Sequence, residues 1–137
     1  MGFLFWLHQF SDFVLLILRL ALGTVFLFHG LPKKGLWKAQ PSDQLPAGLL
    51  TRLRILSIVE PAGALGLIVG FLTQLAGLGL VIVMVGAITF LRTKAHRKFK
   101  EANAPGWEFE FMLLVVALAL AILGGGKYAL DRLIFGI

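Results

Sequence analysis

DFVLLILRLALGTVFLFHGLPKKG (residues 12–35) is an apolar stretch of membrane-spanning length with an arginine, Arg19, inside it and a proline and two lysines closing it. About 20 apolar residues in a helix cover the ~30 Å of hydrocarbon in a bilayer. Arg19 stands about seven residues into the run, so it lies about 10 Å below one membrane face at about 1.5 Å per residue. Insertion scales charge an arginine near the centre about 2.5–3.5 kcal/mol, so Arg19 must turn away from lipid and find a partner. A single helix offers no such interior. The stretch therefore predicts a bundle, with Asp12 or Asp131 as the partner of Arg19.

The rest of the chain follows the same chemistry. Of its 137 residues 58% are hydrophobic and the mean hydropathy is +0.90, more apolar surface than a soluble domain of this size can bury. Four apolar segments stand out, at about 13–31, 53–72, 75–91 and 108–124. They are continuous and lack period-two alternation, which predicts helices rather than barrel strands. The short join GFLTQLAG (70–77) makes the second and third an antiparallel hairpin. The expected fold is all-α: one domain over 1–137, a polytopic, antiparallel bundle of four transmembrane helices. The ends are interfacial, with Phe3, Trp6, Leu7 and Phe10 on one helical face and Leu130, Leu133, Ile134 and Ile137 on another.

Charge sets the expected orientation. Lys33, Lys34, Lys38, Arg52, Arg54, Arg92, Lys94, Arg97, Lys98 and Lys100 lie in or beside the two long loops, whereas the opposite side holds Lys127 and Arg132. Positive residues stay in the cytoplasm, so loops 32–52 and 92–106 are expected inside and both termini outside. The net charge of +6 is then a topology signal and a contact for anionic lipid, not a nucleic-acid footprint.

Cysteine is absent, which excludes thiol redox chemistry, iron–sulfur clusters, thiolate zinc sites and covalent c-type haem. His8 is expected outside and His96 in a basic loop, so a pair of facing haem ligands is not expected. The spacing of His29, Glu60, Glu108 and Glu110 does not require a metal. Glu60 precedes Pro61, which cannot donate to the carbonyl of Ser57. A carboxyl beside that freed carbonyl suits proton transfer or hydrogen bonding to a quinol, and equally a structural bond to a neighbouring helix. His29 reaches a similar depth. Glu108 and Glu110 complement the N-terminal dipole of the fourth helix, and GGGKYALD (124–131) permits the turn that returns Asp131 to the bundle.

Arg19, Gly23, Phe26 and Gly30 form R-x-x-x-G-x-x-F-x-x-x-G, with His29 beside the last glycine. EPAGALGLIVGFLTQLAG follows from Glu60, then WE at 107–108 and G-x-x-x-L-D at 126–131. In this order they resemble the DoxX family of small four-helix membrane proteins. Ala129 departs from the serine that often precedes the closing Leu-Asp, which leaves the bonding of that turn open. The resemblance implies a bacterial inner-membrane protein and a membrane subunit of a quinone-linked oxidoreductase or oxidative-stress complex. It also implies Glu60 and His29 as the proton-handling residues, Arg19, Glu108 and Asp131 as ligand contacts, a quinone as the cofactor, and an oxidoreductase partner subunit. Association with further copies of the chain stays open. An accessory protein that holds partners through its basic loops is the alternative, and a small transporter or lipid-binding protein ranks third.

Overall fold

The computed structural model describes residues 2–136, with side chains from Leu4 onward. Phe3 and Ile137, expected on the interfacial faces, thus fall outside the described side chains. All regular structure among the described residues is helical: α1 (Gly2–Trp6), α2 (Ser11–Gly30), α3 (Ala47–Val69), α4 (Thr73–Thr93), α5 (Glu108–Leu123) and α6 (Leu130–Phe135), with 3-10 segments at Leu7–Phe10 and Leu31–Lys38. The four long helices α2–α5 pack in an antiparallel ring, α2 on α3, α3 on α4, α4 on α5 and α5 back on α2.

Two helical stretches, Leu4–Lys38 and Thr73–Thr93, are long and apolar enough to cross a membrane, and only 28% and 17% of their apolar windows are buried. The core helix of a soluble protein would be mostly buried. Here Phe28, Ile82, Ile122 and Leu133 all stand more than 60% exposed, as side chains facing lipid would. Helix α3 has the length but includes Arg52, Arg54 and Glu60. Helix α5 has 16 residues, about 24 Å at about 1.5 Å each.

The core is thin, with two alanines among its larger side chains. Leu22, Phe26, Ala64, Leu67, Leu80, Met84, Ala117 and Leu120 are buried together. Between helices in lipid, close backbone approach replaces the missing hydrophobic drive. Gly77 shows it: a Cβ there would lie 2.9 Å from the Ala121 nitrogen and 3.0 Å from the Ala117 oxygen. Any side chain would force α4 off α5.

Element boundaries differ from the sequence expectation mainly at α3, which begins at Ala47 rather than near 53. Pro46 precedes it with an extended ψ of 148°, and proline keeps the residue before it out of the helical region. Nothing after Pro46 interrupts the helix, so Arg52 and Arg54 join it. The helix also runs unbroken through Pro61. It ends at Gly70, φ +73°. The Phe71 N–H donates to the Gly66 carbonyl at 2.8 Å and the Gly70 N–H to that of Leu67 at 3.2 Å, the paired closure that a left-handed glycine makes possible.

Candidate functional site

The polar residues fall into two groups at opposite ends of the bundle. At the end carrying the termini, the Asp131 carboxylate accepts the Leu72 N–H at 2.6 Å and the Thr73 N–H at 2.8 Å, while its own N–H donates to the Gly70 carbonyl at 2.8 Å. It caps α4, whose preceding residue Leu72 stands at φ +50°, a left-handed conformation that costs a branched residue about 1–2 kcal/mol. The carboxylate offsets this by satisfying two of the helix's free N–H groups and its dipole. Asp12 does similar work, accepting the Lys127 N–H at 2.9 Å.

Arg19 is 1% exposed, as its position in the apolar run requires, and of its two expected partners Asp131 acts on it through charge, although both carboxylates bond backbone. Among the described residues it forms no ion pair with Asp12 or Asp131. Its Nη2 donates to the Tyr128 carbonyl at 3.1 Å. Its Nε and Nη1, and the Thr73 hydroxyl, are buried without a partner. The aspartates bind backbone because the glycine-rich exit from α5 turns main-chain groups toward them, and a residue pattern does not show that.

At the end carrying the long loops, a cavity of about 510 Å³ lies among the four helices. Its walls are mainly apolar, from Phe26, Leu56, Met84, Ala87 and Leu113, and five polar side chains line it: His29, Lys33, Arg52, Glu60 and Glu110. Lys33 Nζ donates to Glu60 Oε2 at 2.5 Å. Glu60 is 3% exposed, while the Lys33 side chain keeps 23% of its surface. The pair exists because the chain after α2 stays helical. A Cβ on Gly30 would overlap the Pro61 ring, at 2.5 Å from its Cδ, so the bare glycine lets Leu31–Lys38 run against α3. Trp37 Nε1 then donates to Ser57 Oγ at 2.9 Å, and Arg54 holds the Leu36 and Ala39 carbonyls at 3.2 and 2.8 Å. Across the cavity the His29 ring stacks near Phe109, centroids 6.0 Å apart, and Glu110 Oε2 is buried with no partner.

The structure thus brings His29 and Glu60 together on one cavity and leaves Arg19 and Asp131 at the other end. Glu108 is exposed and off the cavity lining; Glu110 stands there instead. Lys33 and Arg52 were read from sequence as topology charges, and Glu110, grouped with His29, Glu60 and Glu108 in one half of the bundle, as a dipole complement. The spacing of His29 and Lys33, one helical turn apart, was the available signal for Lys33. No three His, Asp or Glu side chains converge on a metal-binding arrangement among the described residues.

The profile of the DoxX family matches residues 14–93, more than half of the chain and all of α3 and α4. The chain belongs to the DoxX family. This DoxX protein is 29% identical over 124 residues, 88% of its length and 86% of the relative's, to a protein of Bacillus subtilis (strain 168) described as "Putative oxidoreductase CatD". No solved structure matches it. The matched region contains Arg19, His29, Lys33 and Glu60 but stops before Glu110 and Asp131.

Proposed function

We propose that this DoxX protein spans the bacterial inner membrane four times, long loops in the cytoplasm and termini outside, and serves as the membrane subunit of a quinone-linked oxidoreductase. The observation that carries the reading is the cavity at the loop end, with a partly buried ion pair, an imidazole and an unpartnered carboxylate in apolar walls. Its volume of about 510 Å³ falls in the range of small-ligand sites, which are mostly apolar with a few convergent polar groups. The donor set fits a quinone head: Lys33 and His29 can donate to a ring carbonyl, and Glu110 and Glu60 can accept from a ring hydroxyl. A bound quinone would supply two-electron, two-proton chemistry.

The chain's own part is then to bind, to keep water out and to move protons. The Lys33–Glu60 pair fixes one polar corner of the cavity. Lys33, partly exposed, links the buried Glu60 to the loop surface. Glu110 holds or releases a proton on the opposite wall. With no cysteine and no redox centre built from side chains, electrons come from a partner subunit or from substrate. The distant relative's description as an oxidoreductase supports this direction.

The test is native mass spectrometry of the protein extracted in mild detergent from its own membranes. A retained quinone mass is expected in the wild type and reduced occupancy in Lys33→Met and Glu60→Gln. A bare chain that also fails to bind added quinone overturns the reading and favours a protein-holding role for the basic loops.

A further inference from the structure

The loop-end cavity is not closed equally on its four sides. The α2–α3 seam is shut by Gly30 against Pro61 and by Lys33 on Glu60. The α2–α5 seam is covered by the His29 and Phe109 rings, and the α4–α5 seam by the Arg92 guanidinium 5.6 Å from the Trp107 ring centre. The α3–α4 seam differs. These helices meet near the termini end, where Leu80 packs against Gly63 and the Phe71 carbonyl lies over Gly66. Further along, the facing stretches from Glu60 back to Leu53 and from Ile82 on to Phe90 line the cavity instead of each other. Ile55, Ile82 and Phe90 on its edges are 55%, 67% and 41% exposed. Between them stands Gly86, where a Cβ would have nothing within 4 Å.

We propose that the α3–α4 seam is a side door to the bilayer, and that the ligand is an amphiphile whose polar head meets Lys33, Glu60 and Glu110 while its apolar tail leaves past Gly86 into lipid. This rests on the quinone reading for the head and adds what that reading leaves open: a long hydrocarbon tail is part of what the site recognises, and entry is from the membrane. Four helices with a thin core cannot enclose such a tail. A window rimmed by isoleucine and phenylalanine, with a glycine at its centre, lets it pass.

Gly86→Trp tests the door without threatening the fold, because the position is open and glycine is the weakest common helix former short of proline. The probes are a dimethoxy-methyl-benzoquinone carrying a decyl tail and the same head without a tail, titrated against the purified protein in nanodiscs. Gly86→Trp is expected to weaken the decyl probe about tenfold, because the indole fills the window that the tail must cross, and to leave the tail-free head unchanged. Equal effects on both probes, or none on either, overturn the side door. If the wild type binds neither probe, the quinone reading falls by itself. The door is then read from a dodecyl diazirine photoprobe in liposomes. Labelling of the buried Met84 in the wild type and its loss in Gly86→Trp uphold it, and no labelling of Met84 overturns it.

Discussion

The two ends of the bundle use the same kinds of charged residue for opposite purposes. At the termini end both aspartates are tied to backbone: Asp131 to Leu72 and Thr73, Asp12 to Lys127. Arg19 likewise bonds a main-chain carbonyl, while its Nε and Nη1 stay buried without a partner. Such bonds fix chain direction and leave the carboxylates little capacity for a ligand. At the loop end the partners are side chains, Lys33 with Glu60, and Glu110 keeps a buried oxygen without a partner. A buried charge bonded to backbone locks a turn. A buried charge bonded to another side chain beside a cavity can exchange that partner for something else. The comparison assigns stability to the first end and binding to the second, and substitutions can break that division.

The largest stability effect is expected at Gly70. Its φ of +73° disfavours any side chain, and a Cβ there would overlap the Arg19 guanidinium and Ala129. Left-handed strain and overpacking together predict that Gly70→Val costs about 2–4 kcal/mol, read as a lowered thermal midpoint in detergent. A midpoint equal to wild type would show that the turn does not lock the bundle.

Asp131→Ala comes next. It leaves two N–H groups of α4 without an acceptor beside the strained Leu72, at a cost of about 1.5–3 kcal/mol. Asp131→Asn keeps one acceptor oxygen and should lose clearly less. If the quinone affinity of the folded fraction falls with either variant while stability holds, the two ends are coupled and the division fails.

The third substitution, Lys33→Met, should invert the pattern. Lys33 lies partly exposed at the helix end, so its removal leaves stability within about 1 kcal/mol. Glu60 then loses its cation, and the polar corner that a ring oxygen would meet is dismantled. Quinone affinity is expected to fall about tenfold, or about 1.4 kcal/mol, measured by titration in nanodiscs. Unchanged affinity with a large loss of stability would make Lys33–Glu60 another structural lock.

How much of this was legible in the sequence follows the same division. Hydropathy placed the four long helices within a few residues except at the start of α3, six residues earlier than expected, because an apolar run has few other ways to satisfy its backbone in lipid. Burial of Arg19 followed from its position in such a run. Its bonding did not, because the Tyr128 carbonyl belongs to a turn whose path depends on left-handed backbone at Gly124 and Gly126. Asp131 was correctly returned to the bundle, but as a partner for a side chain rather than for the N-terminus of α4. On the cavity, His29 and Glu60 were readable as polar residues at membrane depth. Lys33 was not, because the close contact of Gly30 with Pro61 that carries it to Glu60 is a three-dimensional fact. Glu110 was passed over for Glu108, two residues away, since position in a first helical turn does not tell which face looks inward.

The smallest effect sharpens the contrast between a buried and an exposed carboxylate doing the same work. Glu101, in the loop before α5, accepts the Lys98 N–H at 2.8 Å and lies 3.3 Å from Arg97 Nη1. The Lys98 N–H holds its carboxyl below the ordinary glutamate value, with Arg97 adding to the effect. A carboxyl with a lowered folded value contributes order that is complete above the unfolded value and lost as pH falls through the folded one. Hydrogen exchange at the Lys98 amide should therefore show a step of lost protection under acid, absent in Glu101→Gln, while the thermal midpoint barely moves because water screens the site. Asp131 caps α4 with the same chemistry at 6% exposure, and its loss should reach the whole bundle. A comparable global destabilisation from Glu101→Gln would mean that the loop is as rigidly built as the termini end.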